Sequence, residues 1–135
     1  MLERRFRRDL GSLEPMFDFV AEFFASNGID PSHAFEVDLV IEELFTNMLK
    51  YSKGGAGEVA IGLRHNDARL VITLRDFDVE AYDVTQTRPV DTALPMERRR
   101  PGGLWLHFVR RVSESIVYEY KDRSSTITVT KRLES

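Results

Sequence analysis

Two consecutive stretches of the chain carry apolar residues at spacings of three and four, which is the pattern of amphipathic helices. The first stretch spans residues 12–27 and is followed by Gly28, a typical residue at a helix end. The second begins after Asp30-Pro31, a helix cap followed by proline at the first helical position, and runs to about Tyr51. Each helix has one apolar stripe, so the rest of the chain must supply the surface that covers both.

The remaining segments predict five strands and one further helix. The predicted strands cover residues 2–10, 58–65, 69–76, 115–122 and 125–132. The second and third are joined by a turn at His65-Asn66-Asp67, and the further helix is predicted over about 104–114. Residues 2–10 alternate between apolar and charged, which predicts an edge strand. Its arginines, from Arg4 to Arg8, are expected to point to solvent and to discourage pairing between edges. Contact of these arginines with a phosphate or an acidic partner is the less favoured alternative.

The order of these elements is β-α-α-β-β-lid-α-β-β. It predicts an α/β fold, a two-layer sandwich in which helices cover one face of a mixed, mostly antiparallel sheet. We expect one domain over residues 1–135. Residues 77–102 form a predicted lid, because a long segment with little periodicity inside a small domain is usually functional or disordered.

Composition excludes several classes of function. Of the 135 residues, 42% are apolar and 30% are charged, as in an ordinary globular domain. The net charge of −3 offers no basic field for nucleic acid or an anionic membrane. Without cysteine, the chain has no disulfide, thiolate metal site or cysteine nucleophile. No apolar run approaches the roughly 20 residues of a membrane span, and no signal-peptide core is present, so we expect a soluble cytoplasmic protein.

Glu43 and Asn47 lie one turn apart on the second predicted helix, so their side chains share a face. A carboxylate that can accept a proton, beside an amide oxygen that can bind a hard cation, suits a magnesium-nucleotide site. Alone, the two could be surface residues of an ordinary helix. Two landmarks further along the chain favour the site.

The first landmark is Asp76, at the end of the apolar strand that begins at Leu70, and the second is Gly102-Gly103-Leu104, where a helix begins after the lid. This order resembles the ATP-binding fold shared by histidine kinases, type II topoisomerases and the heat-shock chaperone ATPase (the Bergerat-type fold). The small size and the wording Glu-Leu-Phe-Thr-Asn at 43–47 resemble the anti-sigma-factor serine kinases of bacterial partner-switching systems. Residues 100–111 and 126–133 are similar to the third motif and the closing segment of that family.

The resemblance implies a role for each landmark. Glu43 would be the general base that acts on the hydroxyl of a target serine, and Asn47 would bind the Mg²⁺ that bridges the phosphates of ATP. Asp76 would accept a hydrogen bond from the amino group of adenine. The backbone of 102–104 would approach the phosphates, helped by the positive end of the following helix.

Two groups of basic residues are further candidates for phosphate contacts. Lys50 follows Asn47 on the same helix, and Arg98-Arg99-Arg100 lies within the predicted lid. A run of arginines is more often a solvated loop than a binding patch. The three histidines are scattered, and their spacing does not suggest a metal cluster.

Two positions depart from the family pattern. Asp78 stands where the second motif, Asp-x-Gly, has glycine, and Trp105 stands where the third motif has its last glycine. Both changes remove backbone freedom where a nucleotide needs close approach, so we predict weaker ATP binding than is usual for the family. Alternatively, the loop shifts, Asp78 faces solvent and the pocket stays intact.

Two classes of function follow from the resemblance. The first is an ATP-dependent serine/threonine protein kinase and anti-sigma factor, which phosphorylates a serine of an anti-sigma-factor antagonist, binds a sigma factor and forms a homodimer. The alternative is a module of the same fold with impaired nucleotide binding, which regulates a partner by sequestration only. A small-molecule ATPase or a histidine-kinase fragment is less favoured, because 135 residues leave no room for a separate histidine-bearing dimerisation helix.

Overall fold

A five-stranded sheet is the centre of the computed structural model, which describes residues 2–51, 57–81 and 108–133. Its strands are β1 (Leu2–Arg7), β2 (Glu58–Asn66), β3 (Arg69–Phe77), β4 (Ser115–Lys121) and β5 (Ser124–Arg132). They lie in the order β1-β2-β3-β5-β4, and each neighbouring pair is antiparallel. The two-layer α/β prediction is confirmed, with one difference: no parallel pair occurs among the described strands.

Two long helices form the second layer, α1 (Leu13–Asn27) and α2 (Ala34–Tyr51). Each follows a short 3-10 turn, and the predicted signals lie at their ends. Gly28 closes α1 with a φ of 65°, a conformation that glycine adopts without strain. The Asp30 carboxylate accepts a hydrogen bond of 2.9 Å from the Ser32 amide and caps the turn before α2.

Further along the chain, residues 108–112 are helical, within the range predicted for the third helix. The hairpin between β2 and β3 turns at residues 67–68, slightly later than predicted, and Asp67 has a φ of 54° there. None of the helices in the described part of the chain has the length and apolar character needed to cross a bilayer.

One face of the sheet and the apolar stripes of both helices enclose the core. Its largest fully buried side chains come from all of these elements: Met16, Phe19, Ile41, Leu44, Phe45, Met48, Ile61, Leu63, Leu70, Ile72 and Leu74. Because side chains alternate along a strand, Asp76 lies on the same face of β3 as Leu74 and Ile72. The sheet therefore presents a carboxylate at the end of an otherwise apolar row.

Near the N-terminus, the arginines differ in their surroundings. Arg4 lies 4.7 Å from the ring centre of Phe19, and Arg5 lies 4.5 Å from that of Phe77, with roughly half of each side chain exposed. Arg8 is largely buried instead, with 13% of its side chain exposed. The prediction that these arginines point to solvent is wrong for Arg8, because a buried carboxylate gives its guanidinium a partner inside the protein.

Candidate functional site

Asn47 and Glu43 are joined through the backbone of α2. The Asn47 amide nitrogen Nδ2 donates a hydrogen bond of 2.7 Å to the Glu43 carbonyl, which also accepts one of 3.2 Å from the Thr46 hydroxyl. Asn47 is only 6% exposed. Because its nitrogen is engaged within the helix, its amide oxygen is the atom that remains for a ligand, and oxygen is what Mg²⁺ prefers.

The Glu43 carboxyl is half-buried on the same turn. Partial burial raises its pKa above 4.5, the neighbouring Glu42 carboxylate raises it further, and the Lys50 ammonium group lowers it. A carboxylate with a raised pKa is a stronger base than an exposed one, which suits proton transfer near neutral pH. Lys50 is exposed on the last turn of α2, and its predicted phosphate contact stays a prediction.

Asp76 is completely buried and forms a two-pronged ion pair with Arg8. The Arg8 Nε donates to Oδ1 and the Nη2 to Oδ2, both at 3.0 Å. The same Nη2 donates a hydrogen bond of 3.2 Å to the carbonyl of Met48, the residue after Asn47. Arg8 therefore brings the end of β3 and the Asn47 turn of α2 within reach of one guanidinium group.

A serine that the sequence reasoning missed lies beside Asp76. Ser125 on β5 is its direct cross-strand partner, is 3% exposed, and has a hydroxyl without a hydrogen-bond partner among the described residues. A buried hydroxyl left unpaired is costly, so such a group is a candidate contact for a bound ligand. The signal in the sequence was the hydroxyl run Ser124-Ser125-Thr126, but only the register shows which of the three faces Asp76.

On the other side of Ser125 in the ladder lies Tyr120 of β4. Its hydroxyl donates a hydrogen bond of 2.7 Å to the Val79 carbonyl, and the Val79 amide donates one of 2.9 Å to the carbonyl of Arg123. These bonds fasten the chain just after β3 to the end of the β4–β5 hairpin. The first residues of the predicted lid are thus anchored to the sheet.

Asp78 does not obstruct the site in the way its replacement of a glycine suggested. Its φ is 54°, in the left-handed region that glycine would adopt, and its side chain is 65% exposed. The carboxylate accepts a hydrogen bond of 2.7 Å from Arg123 Nε at the protein surface. The interpretation in which Asp78 faces solvent is therefore the one that the structure supports.

Several predicted features lie outside the described residues. They are the phosphate-binding candidates Gly102, Gly103 and Leu104, the departure Trp105, the arginines Arg98, Arg99 and Arg100, and the lid from residue 82 onward. The described part of the candidate site consists of Glu43, Asn47, Asp76 and Ser125 on α2, β3 and β5, with the candidate phosphate contact Lys50 on the last turn of α2. In that part of the chain, no cluster of three acidic or histidine side chains could hold a metal alone.

The residues present fit a nucleotide with its metal. A buried carboxylate such as Asp76 can accept a hydrogen bond from a purine amino group once its oxygens are released from Arg8, which holds both in this structure, and the unpaired Ser125 hydroxyl can complete the polar contacts of a bound nucleobase. A metal that is held partly by phosphate oxygens needs few protein ligands, which agrees with a single amide at Asn47.

Outside this group, Asp38 on α2 gives a prediction on stability. Burial raises its pKa from 3.8 to about 6, and its Oδ1 has no hydrogen-bond partner among the described residues. Asp38 thus binds its proton more tightly in the folded state than in the unfolded state. The loss of stability caused by its partly buried charge is absent below the pKa of Asp38 in the unfolded state and grows as the pH rises towards 6. We expect Asp38→Asn to stabilise the protein at neutral pH by about 1 kcal/mol, a figure reduced for partial exposure.

Urea unfolding at acidic and neutral pH checks this prediction. The gain should vanish well below pH 3.8, where both states of the wild type carry a protonated Asp38. Asp18→Asn on α1 is the matched control, because that carboxylate is exposed and its loss should change stability by less than about 0.5 kcal/mol at either pH. An equal gain at both pH values would show that Asp38 carries no burial penalty.

Comparison with known proteins identifies the family. Residues 6–131 match the family described as histidine kinase-like ATPase domain. No curated protein sequence matches the chain significantly. Among solved structures, the chain is similar to the RsbU and RsbW domains of a Mycobacterium tuberculosis protein, with 14% identity and a TM-score of 0.62 over 98% of this chain and 33% of that one.

Two further structures share the fold. The SiaB–SiaC complex from Pseudomonas aeruginosa matches with 20% identity and a TM-score of 0.60, over 97% of this chain and 88% of that one. The Acinetobacter baumannii histidine kinase AdeS matches with 13% identity and a TM-score of 0.52, over 100% and 69%. The match covers about a third of the mycobacterial chain in that structure. The family match covers nearly all of the sequence, and the chain belongs to the histidine kinase-like ATPase domain family.

Proposed function

We propose that this protein is an ATP-dependent serine/threonine protein kinase and anti-sigma factor of a partner-switching system. The observation that carries the proposal is the turn of α2 in which the half-buried Glu43 carboxylate and the buried Asn47 amide lie together, next to the strand end that bears Asp76. Family membership supports nucleotide chemistry. In the proposal, Glu43 is the proton acceptor, Asn47 is the metal ligand and Asp76 is the carboxylate that recognises the adenine ring.

Each residue has one task in the proposed reaction. Glu43 accepts the proton of the attacking serine hydroxyl, and its raised pKa makes it a better acceptor. The Asn47 amide oxygen would hold the metal, while Asp76 and Ser125 would orient the adenine ring of ATP. When bound, Mg-ATP supplies the phosphoryl group and the positive charge that offsets charge on the phosphates. The protein contributes mainly position and electrostatics. Lys50 and the segment 102–104 are proposed phosphate contacts.

The proposed partners follow from the neighbours and from the resemblance. The solved structures similar to this chain include one of RsbU and RsbW domains together and one of a SiaB–SiaC complex. The substrate we propose is a serine on an anti-sigma-factor antagonist, and a sigma factor is the proposed second partner. We also propose a homodimer that acts in the cytoplasm and does not bind nucleic acid.

Phosphoryl transfer to a captured partner tests the proposal. The tagged chain would be used to isolate antagonist-type proteins from its host, and each would be incubated with the chain, ATP and Mg²⁺. The proposal predicts a phosphoserine on the partner, detected by mass spectrometry and absent when Mg²⁺ is chelated. ATP binding without any transfer to a partner that forms a stable complex would overturn the kinase assignment.

A second candidate is a module that acts by sequestration only. The observation that favours it is the complete burial of Asp76 beneath Arg8, which leaves no carboxylate surface for a base in this conformation. The outward position of Asp78 removes one of the two reasons for expecting an impaired pocket. Under this alternative, the complex with the partner would be insensitive to ATP and Mg²⁺.

A further inference from the structure

The Arg8 guanidinium is bound to the Asp76 carboxylate, which is the group that the proposed function assigns to recognition of the nucleotide base. Both oxygens of Asp76 accept a hydrogen bond from the Arg8 guanidinium at 3.0 Å, and the Asp76 residue has 0% of its surface exposed. A carboxylate with no accessible surface cannot contact a ligand until a neighbouring group moves. Arg8 is the group that lies against both oxygens.

The position of Arg8 in the chain allows this movement. Arg8 follows the last residue of β1, and its amide donates a hydrogen bond of 2.8 Å to the Gly57 carbonyl just before β2. The backbone is therefore fixed at the edge of the sheet, whereas the side chain reaches Asp76 on β3, which is separated from β1 by β2. Because 13% of the Arg8 side chain is already exposed, rotation about its own bonds can carry the guanidinium into solvent without any change in the sheet.

The strength of the pair determines the consequence for a ligand. A two-pronged bond between guanidinium and carboxylate is charge-assisted at both ends, whereas a purine amino group is neutral and donates one hydrogen bond to the carboxylate. Exchange of the first for the second is unfavourable by itself. A ligand that binds only the fraction of molecules in which the site is open has a proportionally lower apparent affinity.

We propose that Arg8 is an intramolecular competitor for the base-recognition carboxylate, so that ATP binds only after Arg8 has left Asp76. This inference rests on the proposed function, because it requires Asp76 to receive the base. Arg8 then sets the nucleotide affinity of the chain and its preference for bases that carry an amino group.

Competition and simple electrostatics predict opposite signs for removal of Arg8. A nucleotide is a polyanion, so the loss of a nearby positive charge weakens its binding if charge attraction is the main effect. Loss of a competitor tightens binding. The direction of the change therefore distinguishes the two without any assumption on its size.

The experiment is calorimetric titration of the full chain with Mg-ATP and with Mg-ITP, whose base lacks the amino group. Arg8→Gln removes the charge and the two-pronged bond, and Arg7→Gln makes the same change at an exposed position on β1. We expect Arg8→Gln to bind ATP at least about tenfold more tightly than the wild type, with a smaller gain for ITP, and Arg7→Gln to match the wild type within about twofold.

Each other outcome has a definite meaning. An unchanged or weaker affinity of Arg8→Gln for ATP, with clear binding by the wild type, overturns the role of Arg8 and leaves the proposed function intact. Equal gains for ATP and ITP also overturn it, because the amino group would then be irrelevant. Absence of heat from every variant up to millimolar ATP overturns the proposed function together with the inference. If Arg8→Gln does not fold by circular dichroism, Arg8→Lys decides in its place, with a gain of several-fold expected because lysine makes only a point contact.

Discussion

Glu43→Gln is expected to lower phosphoryl transfer to serine by roughly 10²- to 10⁴-fold while ATP binding and the fold are retained, because this change removes only the proton acceptor. The glutamine side chain has the same length, and the backbone carbonyl of residue 43 still accepts the hydrogen bonds from Asn47 and Thr46. Transfer would be followed by mass spectrometry of the partner, and ATP binding by calorimetry. Transfer at the wild-type rate would remove Glu43 from the catalytic role.

Glu42→Gln is the matched control, and it adds a test by pH. Glu42 is half-buried next to Glu43, and its negative charge raises the pKa of the Glu43 carboxyl. A general base acts in its deprotonated form, so the wild-type rate should rise as pH increases through the pKa of Glu43. Glu42→Gln should shift this acid limb to lower pH and leave the plateau within about threefold of the wild type. A limb that does not move would mean that another group titrates.

Asp76→Asn is expected to lower the free energy of unfolding by about 3 kcal/mol, which is the low end for breaking a buried ion pair. The reason is that the Arg8 guanidinium, largely buried, would lose the negative charge that compensates it. The asparagine amide can still accept one hydrogen bond from Arg8, but its nitrogen would face a second donor. Urea unfolding of both proteins at neutral pH measures the difference.

Asp78→Asn provides the control for this effect, because it makes the same chemical change two residues away. Asp78 pairs with Arg123 at the surface, where ion pairs contribute roughly 0–1 kcal/mol. Asparagine also tolerates the positive φ of this residue well. We expect a change below about 0.5 kcal/mol for this variant. A loss at Asp76 no larger than the loss at Asp78 would contradict the structural importance of the buried pair.

The fold was largely predictable because its elements carry local signals. Asp30-Pro31 and Gly28 indicate where the helices begin and end, and the observed α1 and α2 agree with the predicted ranges within a few residues. Helix caps and turns depend on a residue and its nearest neighbours, so a single sequence contains the information. Glu43 and Asn47 were recognisable for the same reason, since one helical turn separates them.

The rest of the site depends on contacts between distant parts of the chain. Arg8 and Asp76 are separated by 68 positions, and nothing near Arg8 in the sequence indicates that it pairs with a buried carboxylate. Ser125 becomes notable only when the register of β3 and β5 places it opposite Asp76. The direction of the Asp78 side chain depends on a left-handed backbone conformation, which aspartate adopts only occasionally. Pairing and register are properties of the assembled sheet, so the alternation of residues alone left them open.

Calorimetric titration of the wild-type chain with ATP, with and without Mg²⁺, tests the central claim most directly. The account predicts binding that weakens at least about tenfold when Mg²⁺ is chelated, and an Asn47→Ala variant whose remaining affinity no longer depends on the metal. Folding of that variant would be verified by circular dichroism. Absence of binding up to millimolar ATP, in the wild type and in Arg8→Gln alike, would contradict the claim that this site binds a magnesium nucleotide.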